Sequence, residues 1–348
     1  MGIKDVIKGI FSKEKDAPSA GGVSLPKGIK IGHSHNEFSG ISVILTDEDC
    51  VAGVDIRGNA PGTRETDLLK TEKMIEAVQA IALCGGSAYG LGAVSGVMDY
   101  LRERKRGHYI KGADKYVPIV PAAVIFDLDD EGYNYPDRDM AYNACVTASD
   151  RIESGSVGAG RGATVGKIRG SKNVSKGGFG AASIEVMGVT VTAVVVVNAF
   201  GDVYDHNTGK IVAGALDKNG GFFNTTKSML DGRLLRMLMG GGKGYENEGF
   251  GAGAMGADMG GNTTIGCVIT DGKLTKLEAN KLASISHNGL ARSIRPVHTD
   301  YDGDTMFCLA TGKKKVFNMA FLGEAAVEAV SKAITNAVMS VQKKGENI

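Results

Sequence analysis

The chain has 348 residues, of which 43% are apolar and 23% charged, enough to bury a large core and inconsistent with disorder or a fibre. Its 40 Lys and Arg against 39 Asp and Glu leave a formal charge of +1, so no charge excess points to nucleic acid as a partner. No apolar run approaches the ~18–20 residues needed to span a bilayer, and the N-terminus lacks an uninterrupted apolar signal segment, which predicts a soluble cytoplasmic protein.

The first residues read separately from the rest. Ile3, Val6, Ile7, Ile10 and Phe11 recur at helical spacing, with Lys4, Lys8, Lys13 and Lys15 largely between them, so a short amphipathic helix is predicted. Asp16 to Gly22 has the composition of a flexible linker, which sets residues 1–22 apart from one domain over 23–348. Residues 1–15 read as a frayed tail or a helix resting on a sister subunit. Two other readings stay open: a docking peptide similar to those that direct enzymes into bacterial protein shells, and a membrane-surface contact.

Ile41–Thr46 and Val51–Ile56 are short apolar runs separated by Asp47-Glu48-Asp49, which predicts a hairpin. Thr66 to Cys84 shows helical periodicity through Leu68, Leu69, Met74, Ile75, Val78 and Ile81, and Gly85-Gly86-Ser87 breaks the chain before a second helix to about Arg106. Val117–Ile125 and Val189–Val197 read as strands covered on both faces. The segment Gly240 to Gly261 is rich in glycine and runs into a predicted strand, Thr264–Thr270. Thr275-Lys276-Leu277-Glu278 has capping-box form and opens a helix. A strand over Thr305–Ala310 and a long helix with Val327, Val330, Ile334, Val338 and Val341 on one face close the chain.

Several chemical motifs fail. Gly85-Gly86-Ser87-Ala88-Tyr89-Gly90 follows a helical pattern rather than a strand, which argues against a dinucleotide fingerprint. Gly240-Gly241-Gly242-Lys243-Gly244 lacks the spacing and the Ser or Thr of a P-loop. Cys50, Cys84, Cys145, Cys267 and Cys308 are scattered singly and predict buried free thiols in a reducing compartment. The six histidines, His33 and His35 among them, form no metal-ligand pattern, so no metal is predicted.

What remains is the junction Gly260-Gly261-Asn262-Thr263-Thr264-Ile265-Gly266, a glycine tract entering an apolar strand through paired threonines. Three further motifs accompany it: Arg57 to Asp67, Cys84 to Leu91, and Ile294-Arg295-Pro296-Val297-His298-Thr299-Asp300-Tyr301-Asp302-Gly303-Asp304-Thr305. Together, from about Gly28 to Val341, they closely resemble the DmpA-type aminopeptidases, a family that includes D-aminopeptidase/esterases, β-aminopeptidases, a pantetheine-releasing hydrolase and nylon-oligomer hydrolases.

The resemblance implies an α/β fold, the αββα four-layer sandwich of the DmpA and ornithine-acetyltransferase type, in a self-cleaving N-terminal-nucleophile hydrolase. It implies scission between Asn262 and Thr263 into an α chain 1–262 and a β chain 263–348, with Thr263 as nucleophile. Lys167 matches a lysine the family holds near the nucleophile, Asn198 its oxyanion-binding asparagine, and Asp302 and Asp304 the pair beside the nucleophile. Some members carry a catalytic or substrate-contacting tyrosine where this chain has Phe126, and Tyr89 could supply the missing hydroxyl. The implied activity is hydrolysis of amide and ester bonds behind a small amino-acyl group of a peptide or amino-acid amide, without metal or organic cofactor, in a homo-oligomer of αβ units. The alternatives are an acyltransferase on the same fold and a shell-docked protein with a vestigial pocket.

Overall fold

The computed structural model describes residues 22–128, 132–232 and 261–343. The amphipathic helix expected near the N-terminus and most of the glycine tract lie outside the described residues.

Nine strands make the framework: β1 Ile29–His35, β2 Gly40–Ile56, β3 Thr63–Arg64, β4 Val78–Cys84, β5 Ala122–Val124, β6 Gly178–Val186, β7 Val189–Asn198, β8 Thr263–Gly272 and β9 Thr305–Lys314. Their order is β6-β7-β8-β9-β2-β4-β5-β3, with β1 paired to β2. The long strand β2 serves two layers. Its first half pairs with β1 and β4, whereas Val51–Ile56 pair with β9. Ile44, Ile81, Leu83 and Ala123 from one half of the sheet and Val194, Val196, Ile265, Cys267 and Phe307 from the other share one buried cluster, so the two halves face each other.

Helices cover both outer faces. The helices α1 Val94–Glu103 and α2 Arg138–Val146 pack Val94, Val97, Ala141 and Ala144 on Ile41, Val43 and Ala82. On the opposite side α3 Lys276–Ser293 and α4 Met319–Lys343 bring Leu282, Leu290, Val330 and Ile334 onto Val195, Val268 and Cys308. The order of layers is therefore helix, sheet, sheet, helix, the αββα sandwich. The β-branched runs of β7 and β8 are buried along nearly their whole length because each face meets a different layer.

The α3 start follows the sequence closely. Glu278 N–H donates to Thr275 Oγ1 at 3.2 Å and Thr275 N–H to Glu278 Oε2 at 2.8 Å, a reciprocal capping box. All five cysteines are free and buried. Burial pushes the thiols of Cys50 and Cys145 up to about 12, which keeps them inert.

Three expectations are corrected. Asp47-Glu48-Asp49 is no hairpin turn: the chain continues as strand through it with a register shift, and the exposed acidic side chains mark the bend. The helical pattern over 66–84 resolves into a single turn of 3-10 helix, Thr66–Leu69, and the fully buried strand β4. A strand buried on both faces is apolar at nearly every position, in β4 at all but Gln79, so it also satisfies a helical template. Gly85 consequently follows a strand, and the ground for dismissing that glycine turn falls. The run Val117–Ile125 holds only the short β5 and the exposed end of a hairpin, His108–Ile110 with Lys115–Val117.

The contact between α3 and β2 depends on Gly53, where a Cβ would lie 2.3 Å from the Ala279 carbonyl carbon. Gly53→Ala is expected to destabilise the fold by about 1–3 kcal/mol through overpacking, measured as a lower denaturant midpoint with unchanged slope.

Candidate functional site

Thr263 begins β8 and lies opposite Asn198, the last residue of β7. Both are buried. Asn198 Oδ1 accepts from the Thr164 N–H at 3.0 Å and from Lys167 Nζ at 2.9 Å, while its Nδ2 donates to the Gly261 carbonyl at 2.9 Å and the Phe126 carbonyl at 3.0 Å. Lys167 Nζ donates to the same Gly261 carbonyl at 2.9 Å. The approach requires glycine at 261: φ is +107°, and a Cβ would meet the Phe126 ring at 2.5 Å.

The bond between Asn262 and Thr263 sits in a defined hydrogen-bond setting. Thr263 Oγ1 donates to the Asn262 carbonyl oxygen at 2.5 Å, and that oxygen also accepts the Gly303 N–H at 3.1 Å. Asn262 forms a parallel bridge with Asp302. The Thr264 N–H donates to Asp304 Oδ1 at 2.6 Å. The two aspartates flank the threonine through its chain neighbours, and each has further donors: Thr299 N–H and Oγ1 on Asp302 Oδ2, both at 2.7 Å, and His298 on Asp304.

Burial shapes the charges. It brings the Lys167 ammonium down to about 7, against the pull of the Asp127 and Asp302 carboxylates, which favour the proton. It pushes Asp302 up to about 6, helped by the neighbouring Asp304, with the Thr299 bonds opposing. Asp127 is raised to about 6, first by burial, although the Gly86 N–H at 2.5 Å and Ser39 Oγ at 3.1 Å donate to its Oδ1.

The structure brings Thr263, Asn262, Lys167, Asn198, Asp302 and Asp304 together, with Phe126 contributing its carbonyl and its ring against Gly261. Tyr89 makes its ring contacts with Tyr133 and Tyr135. Sequence reading missed Asp127, His298 and the Gly303 N–H. Asp127 was signalled only by a charge directly after an apolar strand, and the other two lie within a motif whose turn composition hides them. Among the described residues no group of His, Cys, Asp and Glu is arranged to hold a metal, and no helix is long and apolar enough to cross a membrane.

The chain is similar to several known proteins. The profile of Peptidase family S58 matches residues 26–346. An uncharacterized aminopeptidase of Mycobacterium tuberculosis is 42% identical over 275 residues, 78% of this chain and 73% of that protein. A 6-aminohexanoate-oligomer endohydrolase of Paenarthrobacter ureafaciens is 32% identical over 288 residues, 82% of this chain and 73% of its own. In fold, the chain is similar to a β-aminopeptidase from Burkholderia, with a TM-score of 0.62 at 22% identity over 90% of this chain and 84% of the other. It is also similar to the L-aminopeptidase D-Ala-esterase/amidase of Ochrobactrum anthropi, described as a variant of the Ntn hydrolase fold, with a TM-score of 0.60 at 17% identity over 92% and 88%.

The raised Asp302 carboxyl has a measurable consequence. A carboxyl that holds its proton more tightly folded than unfolded contributes stability at low pH and loses it as pH rises through about 6. Asp302→Asn removes that loss, so its melting temperature is expected to exceed wild type by roughly 2–4 °C at pH 8, and the gap should close below about pH 4.

Proposed function

Because the chain belongs to peptidase family S58, and is therefore a hydrolase of peptide or amide bonds, we propose that it matures by breaking its own Asn262–Thr263 bond and then uses Thr263 as a nucleophile on small amino-acyl amides and esters. The observation that carries this reading is the Thr263 hydroxyl held 2.5 Å from the oxygen of the preceding carbonyl, with the Gly303 N–H on the same oxygen.

In maturation, Oγ1 attacks the Asn262 carbonyl carbon, closing a five-membered ring. The Gly303 N–H stabilises the negative charge that develops on the oxygen. The C–N bond breaks, the proton from the hydroxyl passes to the departing nitrogen, and the resulting ester is hydrolysed by water. The products are a carboxylate at Asn262 and a free amine and hydroxyl on Thr263. Lys167 and Asn198 hold the Gly261 carbonyl, so the chain entering the scissile bond keeps its bend. A valine at 263 would fit the strand and lack the oxygen.

The new α-amine has a reference pKa near ~7.7–8.0, so at neutral pH part of it is unprotonated and can take the Oγ1 proton during attack on substrate. Asp302 and Asp304 lie on the chain segments beside it and favour its orientation. Once Gly261 withdraws, the Asn198 amide that bonded its carbonyl is available to the oxyanion of the tetrahedral intermediates that form before and after the acyl-enzyme. An amine-bearing acyl group is favoured because the relatives named above are an aminopeptidase and a 6-aminohexanoate-oligomer endohydrolase.

Denaturing electrophoresis of the wild type should give two fragments with the break after Asn262, Thr263→Ala a single band without anilide hydrolysis, and Thr263→Ser both fragments. Fragments persisting in Thr263→Ala with an N-terminus at residue 263 would overturn the assignment. Lys167→Met, which keeps the stem and removes the charge and donors, is expected to slow appearance of the fragments by about tenfold or more, as loss of hydrogen bonds from a charged donor would.

A further inference from the structure

The loop between α3 and β9 contains a histidine that no step above uses. His298 Nδ1 lies 2.7 Å from Asp304 Oδ2, and its backbone N–H donates to the same oxygen at 3.2 Å. A carboxylate only accepts, so this ring nitrogen carries the hydrogen. The other ring nitrogen, Nε2, is buried without a partner among the described residues, so the side chain's polar contact is spent on Asp304. Its backbone lies in the left-handed region at φ +56°, which among residues other than glycine is favoured by Asn, Asp and His.

Asp304 in turn fills a gap in the sheet. Pairing of β8 with β9 begins at Ile265 and Thr305, so the Thr264 N–H precedes the first pair of that ladder. Asp304 Oδ1 takes that N–H at 2.6 Å in place of a strand partner. Both oxygens of the carboxylate are then engaged from opposite sides, which fixes its rotation. The other groups facing His298 are Asp302 on its own loop and His287 of α3, whose ring meets it edge to face at 4.8 Å and whose Nε2 lies 3.1 Å from the Asp55 carbonyl of β2. Burial keeps His287 neutral, so it offers Asp304 no rival cation.

We propose that His298 is a positioning residue for both scission and hydrolysis: through Nδ1–H it aims the Asp304 carboxylate at the Thr264 N–H and thereby fixes the backbone that carries the Thr263 hydroxyl and, later, its amine. The inference rests on Thr263 as nucleophile. It assigns the histidine no contact with substrate.

Three substitutions separate the side-chain bond from the left-handed backbone. His298→Gly suits a positive φ and keeps the backbone N–H bond while removing the ring donor. His298→Asn tolerates the same φ and carries an amide N–H at the position of Nδ1. His298→Asp has the shape of Asn with a like charge against Asp304. Fragment formation and kcat for an amino-acyl anilide are expected to fall about tenfold or more in His298→Gly and His298→Asp, with KM within about twofold, and to return to within about threefold of wild type in His298→Asn. Wild-type rates in His298→Gly, or equal losses in His298→Asn and His298→Asp, would overturn the proposal; if the Gly variant does not fold, the Asn and Asp pair decides alone. Thr263→Ala run alongside keeps the two readings apart, because activity in that variant removes the nucleophile assignment, whereas its inactivity beside a wild-type His298→Gly removes only the role of His298.

Discussion

The carbonyl oxygen of Gly261 accepts hydrogen bonds from two side chains at once, Lys167 Nζ and Asn198 Nδ2, each at 2.9 Å. Neither donor is on the same strand as the residue it holds. Lys167 sits in a short helical turn after the Gly166 bend, and Asn198 ends β7. Their convergence requires the chain at 261 to come close enough to meet the Phe126 ring where a Cβ would be, and so requires glycine. With that one acceptor fixed, Asn262 is bridged to Asp302 and Thr263 enters the sheet opposite Asn198 with its hydroxyl turned back on the bond before it. Release the Gly261 carbonyl and the remaining contacts lose the shared reference that makes them compatible.

The same convergence forces charge into the interior. Lys167, Asp127 and Asp302 interact across a region from which water is largely excluded, and the ammonium is driven down while both carboxyls are driven up. Strand ends chosen for stability alone would carry apolar residues here. An ammonium that holds its proton less tightly than usual and carboxyls that hold theirs more tightly all titrate closer to neutrality, the range in which a group can both take up and release a proton. The framework offsets the cost with the central and outer cores, in which β7 and β8 are buried on both faces.

How much of this was legible in the sequence differs by element. The capping box at Thr275, the long apolar face of α4 and the buried β7 announce themselves because each is a local pattern with one physical solution. β4 misled because a strand covered on both faces has no alternation to read, and β2 misled because its acidic bend resembles a turn until the two halves find different partners. Thr263, Asn198, Lys167 and the aspartates came from long motifs taken together; composition alone left Thr263 an ordinary strand residue. Asp127 and His298 were not found, since what distinguishes them is a partner far away in the chain or a backbone angle, and neither is written in residue type or spacing.

The architecture also bears on the proposed use of a single threonine as nucleophile and base. β8 is paired on both sides, with β7 and with β9, and under the proposed scission Thr263 would head that strand with no chain beyond its own nitrogen. β7 supplies an amide from one side, at Asn198. On the other side the parallel strand β9 begins one residue later than the ladder needs, and the carboxylate preceding it supplies the missing acceptor. A nucleophile inside a strand would keep both backbone neighbours, with its nitrogen locked in a peptide bond and unable to act as a base. Placed at the strand head by the proposed scission, the same residue would offer an alcohol and an amine on adjacent carbons, held by a ladder rigid enough to keep them in register.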